Sequence, residues 1–98
     1  MSEPLLSVVV PCYNEARNLR RGVLPEMHDY LATVEYPYEV LVSDDGSTDE
    51  SREIVREQIA DLAGFRLVEN AHGGKPSAVW GGIRAARGEI ILFTDMDQ

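Results

Sequence analysis

The chain has 98 residues, of which 44% are hydrophobic and 27% charged, a composition typical of one soluble globular domain and unlike that of a disordered chain. Its formal net charge of −8 excludes a general nucleic-acid binder, because such a protein needs a basic face to neutralise phosphates. An acidic chain that binds a phosphate ligand therefore needs a local cation or a set of N–H donors.

The cysteine content and the first residues bear on the cellular compartment. The single cysteine, Cys12, has no disulfide partner within the chain, which favours a reducing compartment. The N-terminus lacks the basic start and apolar core of a signal peptide, and no apolar run approaches the ~20 residues that span a bilayer. We therefore expect a cytoplasmic location, either free or at the cytoplasmic face of a membrane.

Apolar runs alternate along the chain with amphipathic segments. The run Leu5–Val10 predicts a buried strand. Asn14 is placed to cap a helix that extends to about Val34, and Pro25 should kink or divide that helix. Ser47 and Glu50 have the spacing of a capping box for the second helix. The remaining predicted elements are a strand at Glu39–Val42, a helix from Asp49 to about Leu62, a strand at Phe65–Glu69, a helix from about Ser77 to Ala86 and a strand at Glu89–Thr94.

This β-α-β-α-β-α-β order predicts an α/β fold, a doubly wound and mainly parallel sheet of Rossmann-like type. Such sheets bind ligands outside the carboxyl ends of their strands, where the strand order reverses. Each predicted strand is followed by a polar cluster, at residues 11–15, 43–47, 72–75 and 95–97. We therefore expect the four clusters to meet on one rim of the sheet and to form a site.

Asp95 and Asp97 follow the last apolar run at positions i and i+2. Two carboxylates at a strand end supply the hard oxygen ligands that suit Mg²⁺ or Mn²⁺, and such a metal can bridge the protein to a diphosphate. An isolated Asp-x-Asp is more often only an acidic loop. Its place on the shared rim favours the metal site here.

Three further loops contain candidate binding residues. Asp45 can accept a hydrogen bond from a nucleobase N–H, and an adjacent pair of aspartates is costly without a partner; Ser47 to Asp49 are adequately explained as turn and cap. Tyr13 can lie against a base or ribose, and Glu15 can accept a ribose hydroxyl or form a salt link with a basic neighbour. Taken alone, this segment is better explained by a strand end followed by an ordinary N-cap. Lys75 and neighbouring N–H groups can meet phosphate oxygens, with a solvated lysine as the equal alternative.

Taken in order, Pro-Cys-Tyr-Asn-Glu, Val-Ser-Asp-Asp-Gly-Ser-Thr-Asp, Gly-Lys-Pro-x-Ala and Asp-Met-Asp resemble the motifs of family 2 glycosyltransferases of the GT-A fold. The ending Phe-Thr-Asp-Met-Asp-Gln is most similar to the branch of polyprenyl- and dolichyl-phosphate sugar synthases. The resemblance spans essentially the whole chain. It implies an inverting, metal-dependent transfer of a hexosyl group from a UDP- or GDP-sugar to an acceptor such as a polyprenyl or dolichyl phosphate.

The resemblance also implies roles for individual residues. The nucleoside pocket would be lined by Pro11, Tyr13, Glu15, Ser43 and Asp45. The diphosphate would be met by Asp95, Met96 and Asp97, the so-called DXD motif. Asp95 and Asp97 would be the catalytic pair and the ligands of Mg²⁺ or Mn²⁺, with Asp97 the foremost metal ligand.

Family domains continue beyond this motif with more sheet and the acceptor site. We therefore interpret residues 1–98 as a single unit, the N-terminal nucleotide-sugar-binding half of a catalytic domain, and expect it to be inactive alone. Two alternatives remain at this point. One is a nucleotide-binding module without turnover, and the other is a metal-dependent phosphoryl enzyme such as a nucleotidyltransferase.

Overall fold

The computed structural model describes residues 4–96, apart from the side chain of Lys75. Strands and helices alternate as the sequence predicts, except that two short helices follow the first strand. In chain order the elements are β1 (Leu6–Cys12), α1 (Ala16–Arg20), α2 (Val23–Leu31), β2 (Tyr38–Asp44), α3 (Ser51–Ile59), β3 (Phe65–Glu69), α4 (Lys75–Ala85) and β4 (Ile90–Phe93).

The four strands form one parallel sheet in the order β3-β2-β1-β4. In this register Val8 lies opposite Val40 on one side and Leu92 on the other. The chain builds outward from β1 to β3 and then returns to place β4 on the opposite side of β1. The strand order therefore reverses beside β1, and the carboxyl edge there is the expected ligand position.

Helices cover both faces of the sheet, because side chains of a strand alternate between its two faces. Val8 and Val10 pack with Val55 and the apolar residues of α1 and α2 in one buried cluster. Val9 points to the other face, where a Cβ built on Gly82 of α4 would overlap its side chain. The doubly wound α/β class predicted from the sequence is confirmed.

The first helical segment is divided, but the prediction that Pro25 divides it is wrong. The break falls at Gly22, which has a φ of 89° in the left-handed region and is the N-cap residue of α2. Pro25 lies in the first turn of α2, where the backbone N–H has no partner within the helix and a proline costs little. Glycine adopts the left-handed conformation at small steric cost.

The two predicted side-chain caps are also wrong, because both side chains connect loops instead. Asn14 Oδ1 accepts hydrogen bonds from the backbone N–H groups of Thr48 and Asp49 at 2.8 and 3.2 Å. Ser47 Oγ accepts the backbone N–H of Asn14 at 3.0 Å and donates to the carboxylate of Asp44 within its own loop. The N-cap position of α3 is occupied by Glu50 without a side-chain cap. These contacts tie the loop after β1 to the loop after β2.

The remaining boundaries agree with the sequence to within three residues, the largest differences being the ends of α2 at Leu31 and of α3 at Ile59, and β3 has the predicted bounds. β1 and β2 extend two residues further than predicted, to Cys12 and Asp44, so the polar clusters begin inside the sheet. The four residues of β4 are apolar, yet each is between 37% and 56% exposed. Within residues 4–96 no helix is both long and apolar enough to cross a membrane.

Candidate functional site

A pocket of about 340 Å³ opens at the carboxyl edge of the sheet, where β1 lies between β2 and β4. All four polar clusters contribute to it, as expected from the order of strands and loops. We call it the carboxyl-edge pocket; it is lined by Pro11, Cys12, Tyr13, Glu15, Asp45, His72, Gly74, Ala78, Asp95 and Met96.

Asp45 lies on the wall of the pocket with its side chain 2% exposed. Its Oδ1 accepts the N–H of Gly73 at 3.0 Å, and its Oδ2 accepts the N–H of Gly74 at 2.7 Å. The ring Nδ1 of His72 lies 2.9 Å from the same Oδ2. A carboxylate offers about four acceptor positions, so these three contacts leave one.

Asp44 is fully buried beneath the pocket and does not line it. Its carboxylate accepts the N–H groups of Gly46 and Ser47 at 3.0 and 2.9 Å, and Arg52 Nε donates to it at 2.7 Å. Burial raises the pKa of Asp44, but the hydrogen bonds from Ser47 and Arg52 outweigh burial, so its pKa is below the ordinary value. Both adjacent aspartates thus have partners within the protein, which the sequence did not reveal.

The loop after β1 contributes Tyr13 and Glu15 to the lining of the pocket. The backbone N–H of Glu15 donates to Ser51 Oγ at 2.8 Å, and its carboxylate accepts Asn18 Nδ2 at 2.9 Å. Tyr13 is 40% exposed and stacks on His72, with ring centroids 4.6 Å apart. Both residues stand where a ligand in the pocket could touch them.

Ser43 is placed differently from the other predicted nucleoside-binding residues. It is fully buried, donates from its hydroxyl to the carbonyl of Ala78 at 2.6 Å and accepts Asn70 Nδ2 at 2.8 Å. Ser43 is not among the residues that line the pocket. Its hydroxyl instead anchors α4 against the end of β2.

Of the predicted metal motif, Asp95 and Met96 line the pocket, and Met96 is 2% exposed. Asp97 lies outside the described residues. Lys75 begins α4 beside the pocket residue Gly74, but its side chain is not described. Among residues 4–96 no group of three or more His, Cys, Asp or Glu side chains is placed to hold a metal.

Cys12 lies at the floor of the pocket and is 1% exposed. Burial, followed by the negative charge and hydrogen bonding of Asp44, raises the pKa of its thiol far above the ordinary range. The thiol is therefore neutral at physiological pH. It can contribute packing to the site but not a thiolate nucleophile.

His72 is a pocket residue with a titratable side chain to which the sequence assigned no individual role. Its place in the loop after the third strand marked it only as a member of a polar cluster. Two features of the sequence could have identified it. The loop that contains His72 had to reach the same rim as Asp45, and a histidine on that rim offers a ring that can stack and a nitrogen that can donate a hydrogen bond. The contact itself joins residues that are 27 positions apart and could not be read from spacing.

Comparison with known proteins gives the family. A model described as Glycosyl transferase family 2 matches residues 7–98. Dolichyl-phosphate beta-glucosyltransferase ALG5A of Trichomonas vaginalis is 34% identical over 98 residues, which cover 94% of this chain and 30% of that protein. This chain therefore spans less than a third of that relative's length.

Two solved structures are similar in fold as well as in sequence. A mannosyltransferase from Pyrobaculum calidifontis, in complex with GDP-Man and Mn²⁺, superposes with a TM-score of 0.73 at 36% identity, covering 99% of this chain and 28% of that one. Glucosyl-3-phosphoglycerate synthase from Mycobacterium tuberculosis, in complex with Mn²⁺, UDP and glucosyl-3-phosphoglycerate, gives a TM-score of 0.69 at 26% identity, covering 95% and 33%. The resemblance seen in the motifs is confirmed, and the chain belongs to glycosyl transferase family 2 with the GT-A fold.

Proposed function

We propose that the carboxyl-edge pocket binds the nucleotide of a UDP- or GDP-sugar and that the chain is the donor-binding part of an inverting hexosyltransferase. The observation that supports this most is the convergence of Tyr13, Glu15, Asp45 and Asp95 around one pocket at the point of strand reversal. The family match favours sugar transfer over the alternative of a nucleotidyltransferase.

The nucleoside would occupy the side of the pocket formed by the loops after β1 and β2. Tyr13 offers an exposed ring for stacking against a base or ribose. Asp45 has one remaining acceptor position for a base N–H, and a hydrogen bond to a charged group contributes about 1.5–3 kcal/mol. Glu15, held by Asn18, can accept a ribose hydroxyl.

The diphosphate would lie toward Asp95 and the predicted ligand Asp97. The donor chemistry fits Mg²⁺ or Mn²⁺, because the described member of the pair, Asp95, places a carboxylate on the pocket wall and such oxygen ligands suit these ions. Two unit negative charges ~4 Å apart repel by about 4 kcal/mol at an effective dielectric near 20. A bound divalent ion would neutralise that repulsion and the charge of the departing nucleoside diphosphate.

The acceptor is proposed by analogy only. The Trichomonas relative is named as a dolichyl-phosphate glucosyltransferase, so a lipid phosphate such as dolichyl or polyprenyl phosphate is the acceptor class to test first. Such an acceptor would place the enzyme at the cytoplasmic face of a membrane. The full-length protein is needed for that assay, since this chain spans about 30% of the relative.

Titration of UDP and GDP into the chain, with and without divalent ion, tests the proposed donor site. We expect binding with Mg²⁺ or Mn²⁺ that EDTA abolishes, and a loss of most affinity in Asp97→Ala with the fold retained by circular dichroism. Asp29→Ala removes the same charge from a side chain that is 85% exposed and should bind as wild type does. Equal affinity with and without divalent ion would show that the metal role given to Asp95 and Asp97 is wrong.

A second titration tests the role of Asp45. Asp45→Asn retains the shape but removes the charge, and it should weaken UDP or GDP binding by ~1–3 kcal/mol. Unchanged affinity for both nucleotides would remove Asp45 from the nucleobase site.

A further inference from the structure

His72 is held in one orientation by two neighbours. Its ring stacks on Tyr13 at an interplanar angle of 24°. Its Nδ1 lies 2.9 Å from Asp45 Oδ2 and 3.0 Å from the Asp45 carbonyl oxygen. An ionised carboxylate and a carbonyl can only accept, so Nδ1 must have the proton. Nε2 is then the nitrogen whose protonation decides the charge of the ring.

The loop that contains His72 cannot shift without losing other contacts. The next two backbone N–H groups, of Gly73 and Gly74, also donate to the Asp45 carboxylate. Beneath the loop, a Cβ built on Gly46 would lie 3.0 Å from the Cβ of His72. These contacts therefore fix the position of the imidazole in the pocket, although the His72 side chain is 57% exposed.

The charges around the pocket make this ring unusual. Three described lining residues, Glu15, Asp45 and Asp95, have carboxylates. Among the lining residues that the structure describes, His72 is the one whose side chain can become positive. Protonation of Nε2 changes the formal charge of this lining from three negative to two negative.

We propose that His72 supplies a positive charge to the nucleotide pocket and that nucleoside-diphosphate affinity increases when its imidazole becomes protonated. The proposal depends on the proposed function, since it concerns the same pocket. An anion in the pocket favours the imidazolium, and by linkage the imidazolium favours the anion. Histidine is the side chain whose charge ordinarily changes between about pH 5 and 8, and the test below spans that range.

Other titratable groups share the pocket lining with His72, namely Asp45, Glu15, Asp95, Tyr13 and Cys12. All of them remain in place in His72→Gln, so a difference between that variant and wild type reports on the imidazole. Burial raises the pKa of the Cys12 thiol far above the ordinary range, so this thiol stays neutral. Arg52, which donates to the Asn70 carbonyl under the same loop at 3.2 Å, is positively charged throughout.

The test is a titration of UDP at about pH 6 and pH 8, at constant Mn²⁺ and ionic strength. His72→Gln retains a side-chain N–H that can reach Asp45 but cannot become positive. His28→Gln is the matched control, because His28 also lies near a carboxylate, 3.6 Å from Asp29, but outside the pocket. UDP also gains a proton over this range, and that contribution is common to all three proteins.

For each protein, the UDP affinity at pH 6 is divided by the UDP affinity at pH 8. We expect this ratio to be about two- to fivefold larger in wild type and in His28→Gln than in His72→Gln, which corresponds to the free energy of a partly exposed ion pair. Uridine, which has no phosphate, should show no such difference. An equal pH ratio in His72→Gln and wild type overturns the inference while leaving the proposed donor site intact. Absence of both UDP and GDP binding at both pH values in wild type overturns the proposed function itself.

A second readout needs no variant. In wild type, the midpoint of the His72 ring-proton titration followed by NMR should move to higher pH when UDP and Mg²⁺ are saturating, whereas the His28 midpoint should not move. Equal shifts at both histidines, or none at His72, would contradict the inference.

Discussion

Two adjacent aspartates at the end of β2 have different roles. Asp44 is fully buried and holds the loop through Gly46, Ser47 and Arg52, whereas Asp45 faces the pocket. Asp44→Asn would turn one acceptor toward these donors into a donor and would remove one of the two carboxylate partners of Arg52, leaving Glu69. We expect unfolding in urea to show a loss of about 2–4 kcal/mol. Asp29→Asn, on an 85% exposed side chain, should change stability by less than about 0.5 kcal/mol; equal effects of the two would contradict this account.

The buried carboxylates of Glu39 and Asp44 also predict the pH dependence of stability. Burial raises the pKa of Glu39, but hydrogen bonds from Ser7, Arg87 and Arg66 outweigh it, so the pKa is lowered overall, as it is for Asp44. A lowered folded-state pKa gives stability that is present above the unfolded pKa, about 4 for both types, and lost as the pH falls. Urea midpoints should therefore decrease from about pH 5 to pH 3. The decrease should be smaller in Asp44→Asn, and an identical slope would exclude Asp44 as a cause.

Cys12 gives a simple test of the buried floor of the pocket. Its side chain is 1% exposed, and burial with the adjacent Asp44 raises its pKa. A neutral, buried thiol reacts slowly because the thiolate is the nucleophile. We expect disulfide reagents to label Cys12 only as fast as the chain unfolds, and at once in denaturant. Rapid labelling of the native protein at neutral pH would contradict the placement.

At the scale of elements, the close approach of α4 to β1 depends on a glycine. A Cβ on Gly82 would overlap the side chain of Val9, and overpacking a core costs about 1–3 kcal/mol. Gly82→Ala should therefore destabilise the chain, even though alanine favours a helix by up to ~1 kcal/mol. In a Val9→Ala background the same substitution should be neutral or stabilising. The same cost in both backgrounds, measured by urea unfolding, would show that Val9 does not set the spacing.

The sequence predicts the elements well where one pattern dominates. β3 has the predicted bounds, because Gly64 marks the turn before it and the polar loop that starts at Asn70 follows it. The break at Gly22 was missed because Pro25 was expected to break the helix, as proline does in a helix interior. Pro25 instead lies in the first turn of α2, where proline is tolerated. The roles of Asn14 and Ser47 were missed because the contacts of Asn14 with Ser47 and Thr48 depend on the packing of two loops.

At the scale of the whole molecule, strand order explains why the candidate site could be located from sequence. Parallel strands bring their carboxyl ends to one rim, so the clusters after β1, β2, β3 and β4 had to meet. Sequence could not show that Asp45 is already bound by the loop of His72, because that contact depends on how two distant loops fold together. The chain spans 30% and 28% of the two relatives, so nucleotide binding is tested before sugar transfer.

The most direct test of a nucleotide site at the carboxyl edge is paramagnetic broadening by Mn²⁺ in the presence of UDP or GDP, read from backbone amide resonances. A bound metal–nucleotide complex in the pocket predicts broadening at Tyr13, Asp45, Gly74 and Met96. It predicts sharp signals at Tyr38, which begins β2 at the opposite edge of the sheet. Broadening that is centred on the opposite edge, or that is the same without nucleotide, would contradict the account.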